Sequence, residues 1–387
     1  MTENVVVLGS GYAGAGAIQS LEAELGREAD ITWISDVDYH LVLHEAHRCI
    51  SDPSVKEQIT VPVEDIKSPA TRFIHGEVVG VDCADRTVSL ADGSTVSYDY
   101  LLVGIGSRTA FFGIEGLREH ALTLKSLDDV LDVHEAVRDA AREASRDDPA
   151  RVVVGGAGLS GIQTAGEVAE FRDERRAPLE IHLVEGLDEI FPGNDPELQG
   201  ALRKRLEARD VNIMTGEFVG EVDADRVYVG DDRELEYDVL VWTGGITGRD
   251  CVTGMDVRKD ERNHRLNAEA TFRTSDERVF AIGDCALIDQ PGDQPAPPTA
   301  QAAWDAAEHA GKNIVRAIRG QPLERWTHKD KGTVISVGED AVAHDVLMIP
   351  ISTFGGPVAH LLKKGIAARW LADVDGVDRA IRAWPQM

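Results

Sequence analysis

The chain has 387 residues, enough for two or three domains, and a hydrophobic content of 43% excludes a disordered polymer. No apolar run approaches the roughly 20 residues of a membrane span, and the first strand begins almost at once, so no signal peptide and a cytoplasmic location are expected. With 40 basic against 68 acidic residues, a net charge of −28, there is no basic stripe to displace counterions from nucleic acid. Spread along a lysine-poor chain, that imbalance predicts a halophilic surface, on which salt screens self-repulsion.

In chain order, the apolar run 5–8 reads as a buried strand that ends in Gly9, Ser10, Gly11, Tyr12, Ala13 and Gly14. Glycines at this spacing permit a tight turn, a close approach to a pyrophosphate and close helix–strand packing. The helix N-terminus then points at phosphate. The next strand, 30–34, ends in Ser35 and Asp36, where a carboxylate is expected to hold ribose hydroxyls. Runs 71–81, 87–90 and 95–97 alternate as strands, and Asp92-Gly93 marks a hairpin. A buried strand over 98–106 ends at Gly106, and a charged helix follows over 127–145.

The plan then repeats. Strand 152–154 runs into Gly156, Gly158 and Gly161; strand 180–184 ends in Glu185; a helix covers 196–209. Strands near Asn212 and Val227 lead to 237–245, which ends at Gly245 and echoes 98–106. The run 279–282, with Gly283 and Asp284 at its end, completes the first sheet. The expected fold class is therefore α/β, with two Rossmann-like dinucleotide-binding domains, the second inserted into the first. Two such loops in one chain can hold a flavin and a nicotinamide. Cys49, Cys83, Cys251 and Cys285 form neither a C-x-x-C pair nor a metal pattern. His40, His44 and His47 have no ligand set around them, so no metal is expected.

The runs 5–14, 98–116, 151–170 and 280–286 carry a resemblance to a known family, together with Tyr39-His40, 297–303 and Asp330-Lys331-Gly332. Over about residues 4–340 the chain resembles the flavoproteins with two dinucleotide-binding domains, most of all the type II NADH dehydrogenases. That resemblance implies FAD on Gly9, Gly11, Ala13 and Gly14, with Ser35, Asp36, Gly106, Gly283 and Asp284 also at the cofactor. Ala300 and Gln301 would open a helix whose N-terminus faces the flavin pyrimidine. NADH would sit on Gly156, Gly158, Gly161, Glu185 and Gly245. Lys331 would add positive charge near the flavin, and a quinone or other small molecule would accept the electrons. The implied division is 1–112 with 246–325 for FAD, 113–245 for NAD(P)H, and 326–387 as a C-terminal segment. A sulfide:quinone oxidoreductase, a soluble protein-carrier reductase and a redox-sensing flavoprotein are the alternatives.

The departures from that family carry information as well. Ser35 stands where an acid is usual, with Asp36 one position on. Gln163 replaces a glutamate near the flavin and acceptor, so Gln163 and Lys331 are the candidate catalytic residues. Asp305 and Ala306 replace two glutamines of the quinone site, with Trp304 before them, which makes Asp305 the substitute acid nearest in sequence. In the C-terminal segment, Val358, Leu361, Leu362, Ile366, Trp370 and Leu371 fall near helical spacing, with Lys363, Lys364 and Arg369 the only charges from 358 to 371. Region 354–387 then reads either as a peripheral helix on the inner face of the cell membrane or as a helix packed on the protein's own surface or in a homodimer.

Overall fold

The computed structural model describes residues 2–26, 28–230, 232–292, 294–347 and 349–386. Valine-rich runs with no polar face must be buried on both sides, which suits parallel strands. Glu3–Leu8 pairs with Ala29–Ser35 on one side and Tyr100–Val103 on the other. Arg72–His75 and Val279–Ala281 extend these outward, all parallel. The strand that arrives last in the chain thus closes the sheet begun by the first. A second parallel sheet has the order Val211–Thr215, Leu179–Glu185, Ala150–Gly155, Val239–Trp242.

Each sheet carries a three-stranded antiparallel meander inserted at the same point of its plan. In the first half it is Val78–Asp82, Thr87–Leu90 and Thr95–Ser97; in the second, Val219–Val222, Arg226–Val229 and Arg233–Glu236. The run 71–81, expected as one strand, is divided between the parallel sheet and the meander. The chain leaves the parallel sheet at Gly76, whose N–H donates to Ser35 O at 2.8 Å. Where the chain passes between the halves, Arg108–Thr109 pairs antiparallel with Ile246–Thr247.

Small residues let two helices cross closely beside the first sheet. A methyl on Gly16 would lie 2.8 Å from Ala307 Cβ, and one on Gly311 would lie 2.6 Å from Ser20. Tyr12–Leu25 therefore packs directly on Ala300–Ile318. Thr299 caps the second helix through Ala302 N at 3.2 Å, which fixes where it starts.

The C-terminal segment folds as an antiparallel sheet of Thr333–Val337, Asp340–His344 and Thr353–Gly355, followed by helices Pro357–Asp375 and Val377–Ala383. The first helix packs on the protein itself, burying Ala359, Lys363, Ala367, Trp370, Leu371 and Val374. Val358, Leu361 and Ile366 stay exposed on its other side. Among the described residues no helix is long and apolar enough to cross a membrane.

Candidate active site

A cleft of about 310 Å³ opens at the carboxyl ends of the first sheet, where ligands bind in open α/β sheets. One backbone turn sets its floor and is repeated in the second half. Gly9 and Gly156 have φ of +93° and +90°, left-handed values that disfavour any side chain. A methyl on Gly14 or Gly161 would lie 1.8 Å from the carbonyl oxygen of Gly9 or Gly156, respectively. By contrast, Gly11 and Gly158 have nothing within 4 Å of such a methyl. These two positions face open space, so glycine there leaves room for a ligand and answers no need of the fold.

Of the residues singled out from sequence, Gly9, Gly11, Ala13, Ser35, Asp36, Gly106, Gln163, Gly283, Asp284 and Ala300 line the cleft. Gly14 packs behind the turn. Gln301 follows Ala300 in the first turn of its helix and does not line the cleft. Gly156, Gly158, Gly161, Glu185 and Gly245 gather at the corresponding ends of the second sheet, outside this cleft.

The two acid positions differ. Gly9 N–H donates to Ile34 O and Gly156 N–H to Val184 O, each at 2.8 Å, so Ser35 is the counterpart of Glu185. Glu185 accepts from Ala157 N at 2.7 Å and Leu187 N at 3.0 Å. Ser35 is buried, with its Oγ 3.0 Å from Ser10 Oγ. The acid has moved one place to Asp36, which pairs with Arg249 at 2.8 Å. Burial opposes the Asp36 charge, but the Arg249 hydrogen bond and charge outweigh it and hold the carboxyl below its usual range.

Lys331, a candidate from the resemblance, meets a carboxylate on the neighbouring helix. It is half exposed, pairs with Asp305 at 3.1 Å and does not line the cleft. Asp305 also accepts from Trp326 Nε1 at 3.1 Å. Burial raises the Asp305 pKa less than Lys331 and Trp326 lower it, so Asp305 stays ionised and holds no proton near neutral pH. The cause is the segment after the Ala300–Ile318 helix. Its buried Trp326 donates from its backbone N to Ala270 O at 2.8 Å, which seats Lys331 over the helix flank.

The lysines the structure brings forward are Lys125 and Lys363. Lys125 lines the cleft, and among the described residues its ammonium has no ion-pair partner. Burial lowers its pKa, and the charge of Asp284 opposes that. Lys363, on the helix read from sequence as interfacial, reaches inward. It donates to Ser336 Oγ at 2.6 Å and His47 Nε2 at 3.1 Å, and pairs with Glu45 at 3.3 Å. Gln163 Nε2 lies 3.3 Å from both His47 Nε2 and Ser336 Oγ. Lysine and amide nitrogens only donate, so His47 Nε2 accepts and His47 is a neutral imidazole. Burial, then the charge of Lys363, pushes its pKa well down.

The three clustered histidines have separate fates. His40 donates from Nδ1 to Ser10 O at 2.8 Å and accepts at Nε2 from Trp370 Nε1 at 2.7 Å, and burial takes its pKa down to about 4. His44 Nδ1 meets Tyr12 OH at 2.5 Å. No motif flags Lys125 or Glu45, and none assigns a partner to Tyr12 or Lys363; their contacts depend on packing between segments distant in sequence. The Cys285 thiol donates to Val103 O and Ile282 O, and burial pushes it up to about 12, as it does for Cys49. Neither thiol offers a thiolate at neutral pH.

The geometry agrees with known relatives. The family described as pyridine nucleotide-disulphide oxidoreductase matches residues 3–307. The type II NADH:quinone oxidoreductase of Staphylococcus aureus strain MSSA476 is 27% identical, and the match covers 98% of each chain. NDH2 from Plasmodium falciparum, solved in complex with NADH, has a TM-score of 0.86 at 17% identity and covers 100% of this chain and 98% of its own. The sulfide:quinone oxidoreductase of Aquifex aeolicus reaches a TM-score of 0.81 at 20% identity, covering 97% and 92%. With its duplicated nucleotide turns and a family match over most of its length, the chain belongs to the pyridine nucleotide-disulphide oxidoreductases.

Proposed function

We propose that this chain is an FAD-dependent NADH dehydrogenase that passes electrons to a quinone. The observation that carries this reading is the pair of glycine turns with matching φ and clearances, each leaving its second glycine open to a ligand. The residues of the first cleft fit FAD. Gly9, Gly11, Ala13 and Gly14 with the Tyr12–Leu25 helix N-terminus would hold the pyrophosphate, and Lys125 would supply its counter-charge. Ser35 and Asp36 would meet the ribose, and Gly106, Gly283 and Asp284 the ribityl region. The Ala300–Gln301 helix N-terminus would stabilise negative charge on the reduced ring. Gly156, Gly158, Gly161, Glu185 and Gly245 would hold NADH. In residue ranges, FAD takes 1–112 with 246–325, NADH takes 113–245, and 326–387 covers the acceptor end.

Bound flavin supplies hydride acceptance from nicotinamide and two-electron donation onward. The chain's own part is to orient the partners and exclude water. Gln163 and His47, with Lys363 behind them, would form the polar wall against which the acceptor lies. The neutral Gln163 amide can donate a hydrogen bond there but cannot transfer a proton. We also propose that the exposed Val358, Leu361, Val377 and Ile381, with Lys364, Arg369 and Arg382 nearby, seat on an anionic bilayer.

The test is steady-state oxidation of NADH and NADPH by the FAD-loaded protein, with a short-chain quinone and with ferricyanide. NADH should exceed NADPH at least about tenfold in kcat/KM, because the Glu185 carboxylate repels a 2′-phosphate. Equal values would remove Glu185 from that role. A variant with all four cysteines changed to serine should still oxidise NADH; loss of quinone reduction in it, together with sulfide-dependent turnover in the parent, would favour the sulfide reading.

A further inference from the structure

One turn beyond Gln163 on the Leu159–Arg175 helix, Glu167 is 3% exposed, with its carboxyl accepting from Ser51 Oγ at 2.5 Å. It lies at a junction of distant segments. The His47–Ile50 turn brings Arg48, Cys49 and, just after it, Ser51; the Pro357–Asp375 helix brings Lys363; its own helix adds Glu170. The cations nearby are already matched to another carboxylate. Lys363 pairs with Glu45 at 3.3 Å and Arg48 with Glu45 at 3.4 Å.

The reaction proposed above has an unmet proton requirement. A hydride brings two electrons and one proton, whereas reduction of a quinone to a quinol takes two electrons and two protons. One proton per turnover must come from the protein side. Gln163 has none to give, and His47 Nε2 is an acceptor. Lys363 could give one only if another acid at once restored its charge, which buried Glu45 shares with that of Arg48. Asp305 is ionised and outside the cleft.

Resting on that reading, we propose that Glu167 stores the second proton of the acceptor half-reaction. The O–H bond of its carboxyl breaks and an O–H bond forms on the reduced acceptor, with relay through the buried Lys363 and Ser336 to His47 at the cleft wall. Solvent then reprotonates the carboxylate. Glu167 exchanges no electrons. Burial, opposed by the Ser51 hydrogen bond and by Lys363 and Arg48, pushes its pKa up to about 7, so the proton is present at neutral pH and can leave. The Cys49 thiol beside it, pushed up to about 12, does not titrate in the same range.

The experiment is stopped-flow reoxidation of the reduced flavin by ubiquinone-1 from pH 5.5 to 9, on FAD-loaded wild type, Glu167→Gln and Ser51→Ala. The flavin spectrum and Tm check each fold. The wild-type rate should fall about tenfold per pH unit above an inflection near pH 7. Glu167→Gln should lower the rate at pH 6 about tenfold and remove the inflection. Ser51→Ala should move the inflection to higher pH, because the lost hydrogen bond favours the carboxylate, and it decides the matter alone if Glu167→Gln does not fold. An inflection unmoved in the folded variants overturns this proposal while leaving the dehydrogenase reading intact. Wild type that holds no flavin, or whose flavin no quinone reoxidises, overturns both.

Discussion

At the residue scale, the two glycines Gly11 and Gly14 answer to different demands, and that difference can be measured. A side chain at Gly14 would drive into Gly9 O, so Gly14→Val should destabilise even the flavin-free protein, by more than about 2 kcal/mol. Gly11→Val meets no protein atom. It should leave the Tm of the flavin-free protein nearly unchanged yet abolish FAD retention, because its branches would occupy the pyrophosphate's place. Lys125→Gln should weaken FAD binding about tenfold, on the order of 1.4 kcal/mol, with Lys125→Arg close to wild type. FAD titration by fluorescence reads both effects, and unaltered affinity in Gly11→Val would remove the first turn from the cofactor site. The glycines were legible in the sequence because their spacing is itself the signal. Lys125 was not, since a lone lysine before a helix has no pattern until the fold turns it into the cleft.

At the element scale, the Pro357–Asp375 helix is the instructive case. Its apolar residues follow a helical period closely enough to predict a helix, but period alone does not say which side meets the protein. The structure turns Lys363 inward and leaves Val358 and Leu361 outside. The inward lysine is tolerated because Ser336 and His47 accept its hydrogen bonds and Glu45 balances its charge, which hydrocarbon neighbours could not do. The outward face supports a test of bilayer contact. Wild type should sediment with vesicles of anionic phosphatidylglycerol in low salt, and Leu361→Asp with Val377→Asp should release it without loss of ferricyanide reduction. If wild type stays in solution and is instead a dimer that the same substitutions dissociate, this face joins two copies.

For the molecule as a whole, the charge of −28 sets two effects of salt against each other. Salt weakens surface ion pairs, most of which contribute at most about 1 kcal/mol each. It also screens repulsion among the acidic groups that have no basic counterpart, and with 68 acids against 40 bases this second effect should win. The Tm should therefore rise by several degrees between 0.1 M and 2 M KCl, read by scanning calorimetry with saturating FAD. A flat or falling Tm would show that the acidic surface confers no advantage in salt.

The sequence by itself determined the duplicated α/β plan, the two nucleotide turns, the shift of the first acid to Asp36 and the late return of the chain to its first sheet. Those features are local: glycine spacing, strand hydrophobicity and the residue at a strand's end dictate their own geometry. Only the tertiary structure decided the buried polar cluster beside the cleft. Asp305 and Lys331 neutralise each other away from the cleft, whereas Lys363, Glu45, His47 and Glu167 converge from three parts of the chain. A buried charge is tolerable only where partners arrive to meet it, and those partners are set by packing between segments far apart in sequence.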